Sequence, residues 1–177
     1  MGFSQRSRDA MNEQLMREIQ ASYTYLSMAE YCQSIALEGF AKWLDEQSQE
    51  EWGHAMKFRR FIQDRGERVR FDAVPAPAAD FTSVADVFER ALEHEQAVSQ
   101  AINNLYALAE EEKDFASQAF LDWFVNEQVE EERTIGGILD WVRRLGDSPQ
   151  GLFLLDRQLG GGDLEGATGE ASASSDA

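Results

Sequence analysis

The sequence has little cysteine, little basic charge and no long apolar run. Cys32 is the only cysteine among 177 residues, which excludes an internal disulfide and fits a reducing compartment. Lysine and arginine number 16 against 33 aspartates and glutamates, so the formal net charge is −17. A chain this acidic repels nucleic acids and anionic membranes and attracts cations. We therefore expect no nucleic-acid partner.

Membrane and secretion signals are also missing from the sequence. No apolar run approaches the length of a membrane span, and the N-terminal stretch MGFSQRSRDA lacks the apolar core of a secretory signal. We therefore expect a cytoplasmic protein without a membrane partner. The length and the apolar fraction of 43% allow one domain with a sizeable core.

Apolar residues at heptad spacing predict four long helices, over about residues 8–35, 40–66, 83–112 and 114–145. Ser83 is a good N-cap for the third helix. The apolar stretch GLFLLDRQL (151–159) predicts a short fifth helix. We expect one domain over residues 1–160 and a disordered, acidic, Gly/Ser-rich tail over residues 161–177.

The connections predict how the helices are arranged. Short turns near residues 37–39 and 113 make helices one and two, and helices three and four, antiparallel neighbours. The link between helices two and three, RGERVRFDAVPAPAAD (65–80), contains two prolines, which predict an extended chain. It can reach roughly 50 Å, whereas a helix of this length spans roughly 42 Å. The sequence therefore predicts an all-α four-helix bundle with one long crossover between helices two and three.

Acidic side chains interrupt the apolar stripe of every predicted helix near its middle. The interrupting residues are Glu18, Glu51 with His54, Glu95, and Glu127 with Glu131. All lie about 20 to 30 Å from the turn that joins each helix pair, so they form one layer. Ionised carboxylates side by side in an apolar core cost several kcal/mol each. No lysine or arginine lies on these stripes in that layer, so a pair of divalent metal ions is the simplest way to neutralise it.

The spacing of Glu51 and His54 supports metal binding. Glu-x-x-His places both side chains on one side of a helix, one turn apart, and this pattern builds dinuclear sites in helical bundles. Oxygen ligands with a single imidazole suit iron, manganese or zinc. The alternative is a polar layer that only fixes helix register. On helix four, the heptad phase predicts that Glu127 and Glu131 face inward, that Gln128 and Glu130 flank them, and that Glu132 lies on the surface.

Four stretches resemble, in order and spacing, the four helices of the non-haem bacterial ferritins, a family of the ferritin-like di-iron superfamily. They are NEQLMREIQASYTYLSMA, QSQEEWGHAMKF, ALEHEQAVSQAINNL and FLDWFVNEQVEEER. Residues 151–159 match the short fifth helix of that family. The resemblance implies a ferritin-like fold, a 24-subunit homo-oligomeric cage and iron storage. It also implies a ferroxidase, which oxidises Fe(II) with dioxygen or hydrogen peroxide at a di-iron centre and deposits ferric mineral.

The resemblance also implies roles for individual residues. The first iron would be bound by Glu18, Glu51 and His54, with Glu51 bridging to the second iron. The second iron would be bound by Glu95 and Glu131, with Gln128 nearby.

Two further parts of the site follow from the same resemblance. Tyr25 would complete the catalytic centre by donating a hydrogen bond to a ligand carboxylate. A third iron site would use Glu50, Glu127, Glu130 and, shared with the pair, Glu131.

Haem is not expected. Bacterioferritins repeat Glu-x-x-His on helix four, where this chain has Glu130 in place of the histidine. They bind haem through a methionine where this chain has Trp52. Two alternatives stay open: a ferritin-like di-iron oxidase or peroxide scavenger that stores no mineral, and an acidic helical scaffold that binds no metal. The acidity fits a salt-rich habitat, mineral nucleation or both.

Overall fold

Five α-helices make up the fold. The structure is a computed structural model that describes residues 3–146 and 148–161. The helices are α1 (Gln5–Ser34), α2 (Glu38–Asp64), α3 (Val84–Glu111), α4 (Phe115–Leu145) and α5 (Pro149–Leu159). The described residues contain no strand. The predicted all-α bundle with a short fifth helix is confirmed. Of the predicted tail, residues 162–177 lie outside the described residues.

Side chains cap the start of three bundle helices. The side chains of Ser4, Ser83 and Asp114 each accept a hydrogen bond from a backbone N–H in the first turn of α1, α3 and α4. The predicted cap at Ser83 is confirmed, whereas α1 begins at Gln5, three residues before the predicted start. Arg65, at the end of α2, donates a hydrogen bond of 2.9 Å to Asp114 Oδ1. The cap of α4 therefore also fixes the end of α2.

Both helix pairs reverse direction in the same way. Ala36, between α1 and α2, has φ 61°, and Lys113, between α3 and α4, has φ 55°. Each is a non-glycine residue in the left-handed region, which costs roughly 1–2 kcal/mol. The two helical hairpins therefore share one turn geometry as well as one pattern of acidic interruptions.

The crossover lies along α1. Asn12 exchanges two hydrogen bonds with the backbone of Arg70, at 2.9 and 2.8 Å. Further along α1, the Ser27 hydroxyl donates to the carbonyl of Ala78 at 2.7 Å. Fifteen helical residues separate the two anchors on α1, which is about 22 Å of helix. The long crossover between helices two and three is therefore confirmed.

The core consists of two apolar clusters with a polar layer between them. One cluster includes Phe40, Phe88 and Leu139, and the other includes Leu15 and Phe58, all at most 2% exposed. Both draw buried side chains from all four long helices. Dispersion and the hydrophobic effect at the two ends thus hold the middle of the bundle together, where polar side chains contribute less to packing.

The fifth helix caps the second. Leu37 precedes α2 and offers no capping side chain. Instead, Asp156 on α5 accepts a hydrogen bond of 2.9 Å from the backbone N–H of Phe40. A carboxylate at a helix N-terminus is favourable because it satisfies a free N–H and complements the helix dipole. This contact needs a glycine at position 39, where an added Cβ would lie 1.7 Å from the carbonyl oxygen of Asp156.

Gly39→Ala is expected to separate α5 from α2. The clash is with backbone, so one of the helices must move, at a cost of about 1–3 kcal/mol. We expect a lower melting temperature and faster hydrogen exchange over residues 149–159. Gly53→Ala is the matched control, because no neighbour lies within 4 Å of its added Cβ; alanine there should be neutral or stabilising. Equal melting temperatures for the two variants would contradict the prediction.

Candidate metal centre

The first half of the predicted site lies between α1 and α2. Glu18, Glu51 and His54 are at most 3% exposed, and one ligand atom from each lies within 4.8 Å of the others. His54 Nδ1 and Glu51 Oε2 lie 3.3 Å apart but are not aligned for a hydrogen bond. The one-turn spacing of Glu51 and His54 on α2 brings both toward Glu18, as predicted.

The second half lies between α3 and α4. Glu95 is fully buried and Glu131 is 6% exposed. The Tyr25 hydroxyl donates a hydrogen bond of 2.6 Å to Glu95 Oε1, and Gln128 Nε2 donates one of 3.0 Å to Glu95 Oε2. Both oxygens of Glu95 are therefore oriented. The hydrogen bond predicted for Tyr25 is made to Glu95, whose role as a metal ligand stays a prediction.

Three buried polar atoms in this layer have no hydrogen-bond partner within the described residues. They are Glu18 Oε2, Glu51 Oε2 and His54 Nε2. Buried polar atoms of a native protein are almost always paired, and leaving one unpaired costs about 1–3 kcal/mol. All three are carboxylate or imidazole atoms of the kinds that ligate metals, so the residues fit a divalent cation of the iron, manganese or zinc type.

Burial shifts the protonation of the layer. Loss of hydration raises the pKa of Glu18 well above its ordinary value, and the charge of Glu51 adds to the shift. Burial likewise raises the pKa of Glu51 well above its ordinary value, with Glu95 as the next cause. For Glu131, burial and then the charge of Glu95 raise the pKa to about 7. Without a cation these three carboxyl groups therefore tend to hold protons near neutral pH.

Another cluster of acidic and imidazole side chains lies beside the buried layer, toward solvent. Ligand atoms of Glu50, His54 and Glu127 lie within 4.8 Å of one another. Glu50 is exposed and Glu127 is half-buried. We call these three residues the third group. Glu130 does not join them: its side chain is 73% exposed and lies 3.6 Å from Arg133.

The predicted phase of helix four is wrong at three positions, of which Glu127 is one. Gln128 is 4% exposed and faces the layer, whereas Glu127 lies at its edge. The buried stripe of α4 uses Leu121, Gln128 and Ile135 rather than the preceding residue in each case. Phe120 and Leu121 are both apolar, so heptad spacing alone did not decide between the two stripes.

Two supporting residues were missed by sequence reasoning. Gln14 Nε2 donates a hydrogen bond of 2.8 Å to Glu18 Oε1, and its position four residues before Glu18 on one helix was an available signal. The indole of Trp123 packs at a steep angle against the imidazole of His54, with ring centroids 5.3 Å apart. Nothing in the local sequence indicates this contact, because it joins α2 to α4.

Comparison with known proteins identifies the class. The ferritin-like domain family model matches residues 8–145, so the chain belongs to the ferritin-like family. Within it, the chain resembles bacterial non-haem ferritins. It is 41% identical over 151 residues to that of Staphylococcus saprophyticus, covering 85% of this chain and 90% of that one. Identity to that of Staphylococcus haemolyticus is 39% over 151 residues, with coverage of 85% and 91%.

Solved structures agree with this assignment. An open pore ferritin from the archaeon Archaeoglobus fulgidus superposes with a TM-score of 0.88 at 43% identity, covering 89% of this chain and 96% of that one. A closed form engineered from the same archaeal ferritin gives a TM-score of 0.87 at 43% identity, with coverage of 89% and 96%. None of the described helices is long and apolar enough to span a membrane.

The raised pKa of Glu131 predicts how the stability of the metal-free protein changes with pH. Between its ordinary value of 4.5 and about 7, the folded chain holds a proton that the unfolded chain has released. Stability therefore falls as pH rises through this window. We expect the melting temperature of metal-free protein to fall more steeply with pH in the parent than in Glu131→Gln. Glu130→Gln removes an exposed carboxylate of the same helix and should keep the parent slope; a shallow slope there instead would contradict the prediction.

Proposed function

We propose that this protein stores iron and is a ferroxidase, with two Fe(II) ions as substrate at the buried layer. One observation carries the proposal: five buried ligand residues from four helices converge in a ferritin-like bundle. They are Glu18, Glu51, His54, Glu95 and Glu131. Three of their ligand atoms lack a hydrogen-bond partner in the described part of the chain, and a divalent cation would supply what they lack.

The two halves of the layer bind different iron ions. Glu18 and His54 hold the first iron, and Glu51, between the halves, bridges to the second. Glu95 and Glu131 hold the second iron. Tyr25 and Gln128 orient Glu95 before iron arrives, because their hydrogen bonds fix both of its oxygens.

The reaction is a transfer of two electrons. Each Fe(II) gives one electron, so two Fe(III) ions form. Dioxygen takes both electrons with two protons and leaves as hydrogen peroxide. With hydrogen peroxide as oxidant, the O–O bond breaks and two protons complete two waters. The carboxylates favour the ferric product, since they are hard oxygen ligands that neutralise its greater charge. The Fe(III) then moves on to the stored mineral through the third group, with Glu130 beside it at the exposed side.

Storage requires an enclosed space, and we propose a 24-subunit cage. The matched archaeal and staphylococcal proteins are ferritins by name, and this chain covers at least 90% of each of those described above. Twenty-four chains of 20.0 kDa make a particle of about half a megadalton. Light scattering distinguishes this assembly from a small di-iron oxidase that stores no mineral.

Glu51→Ala and His54→Ala test the site directly. Each removes a ligand of the first iron, and we expect the rate of ferric absorbance to fall at least tenfold when apoprotein is mixed aerobically with two Fe(II) per chain. Folding should survive, because Glu51→Ala removes a buried carboxylate that is costly without metal. Glu46→Ala, an exposed carboxylate of the same helix, is the control. Oxidation at the parent rate in both site variants would refute the site assignment.

Metal binding should release protons. Burial raises the pKa of Glu18, Glu51 and Glu131, so these groups must lose protons to become ligands. We expect the apparent affinity for Zn(II), a redox-inert substitute, to rise with pH between about 6 and 8. Proton release per ion, followed with an indicator dye, should be greater at the lower pH. Release that is absent at both pH values would show that the carboxyl groups are already ionised without metal.

A further inference from the structure

Lys57 lies beside the third group and is not one of its ligands. It is one turn after His54 and two turns after Glu50, so these side chains share one face of α2. Its Nζ lies 3.1 Å from the centre of the Trp123 ring. The same indole packs at a steep angle against the imidazole of His54, with ring centroids 5.3 Å apart. Trp123 therefore contacts both a lysine ammonium and a proposed iron ligand.

The charge of Lys57 acts on both carboxylates of the third group. Burial lowers the pKa of Lys57, while the charges of Glu127 and then Glu50 act to raise it. Among the described residues, Lys57 forms no ion pair as short as those found elsewhere on the surface, such as Arg17 with Glu13 at 2.7 Å. The ammonium is thus close enough to offset the two acids without being locked to either.

The geometry points to a role for Lys57: we propose that it is a tethered counter-ion that competes with a metal ion for the third group. Without metal, its ammonium rests on Trp123 and partly neutralises Glu50 and Glu127. A divalent or trivalent ion between those acids repels the ammonium, which can swing into solvent on its flexible four-carbon stem. This inference rests on the proposed function, because it assumes that the third group receives metal.

The consequence is that the third group binds a metal ion less tightly than the buried layer does. Within residues 3–146 and 148–161, the buried layer has no lysine or arginine among its hydrogen-bond partners, so a metal ion there competes with protons. The third group is exposed on one side and has Lys57 within electrostatic reach, so a metal ion binds it more weakly. Weak binding suits a position through which iron passes, since the ion must also leave.

Lys57→Met tests the competition, because it removes the charge and keeps much of the stem. Metal-free protein would be titrated with Zn(II) by calorimetry, which resolves binding without any redox reaction. We expect binding at the third group to become about tenfold tighter, as loss of one nearby positive charge implies. Binding at the buried layer should change less than binding at the third group, because the acids whose charges act on Lys57 are Glu127 and Glu50.

Three variants separate competition from a packing role. Arg59→Met removes a positive charge from the same helix at an exposed position. It should leave the Zn(II) affinity of the third group at the parent value. Lys57→Arg keeps the charge and should also bind as the parent does. Adding Glu127→Gln to Lys57→Met should cancel the gain, because the gain depends on the acid that the lysine offsets.

The outcomes distinguish this inference from the proposed function. If the parent binds no Zn(II) in the buried layer, the proposed function fails. The second case is that the buried layer binds Zn(II), but Lys57→Met leaves the Zn(II) affinity of the third group unchanged, weakens it or shows no binding there. The counter-ion role of Lys57 is then overturned, and the proposed function is not. A gain of similar size in Arg59→Met would also overturn it, because the effect would then reflect net charge only.

Discussion

Desolvation of five polar side chains in one layer is the constraint on which this structure depends. Glu18, Glu51 and Glu95 are buried, and in the part of the chain that the structure describes no arginine or lysine is among their hydrogen-bond partners. Such a layer makes the metal-free fold less stable than an apolar layer of the same volume would be. The cost is offset elsewhere, by the two apolar clusters above and below. Stability and function are thus assigned to different parts of the same four helices.

The orientation of Glu18 and Glu95 depends on hydrogen bonds from neighbouring side chains. Gln14 holds one oxygen of Glu18, while Tyr25 and Gln128 hold both oxygens of Glu95. These bonds fix side chains that would otherwise rotate, so less entropy is lost when a metal ion binds. The unpartnered atoms, by contrast, are concentrated on Glu18, Glu51 and His54. The α1–α2 half is therefore the part of the layer with the most unmet polar capacity.

Much of the fold and most of the buried layer could be predicted from the sequence, because both follow from helical periodicity. The acids at mid-helix and the proline-containing crossover were strong signals of this kind. Other features depend on contacts between distant segments. Helical periodicity did not decide whether Glu127 or Gln128 faces inward, because an apolar residue lies one heptad before each of them. Lys57 on the Trp123 ring could not be predicted either, because it depends on the rotamers of two side chains on antiparallel helices.

The cap of α2 by Asp156 has a consequence for biosynthesis. The carboxylate that completes this helix lies 116 residues after the N–H that it accepts from. At a translation rate of about 5–20 residues per second, the ribosome needs roughly 6 to 23 s to make that intervening chain. For this period the helix that carries Glu51 and His54 has a frayed first turn. The nascent bundle thus completes the cap of α2 only after nearly the whole domain has been synthesised.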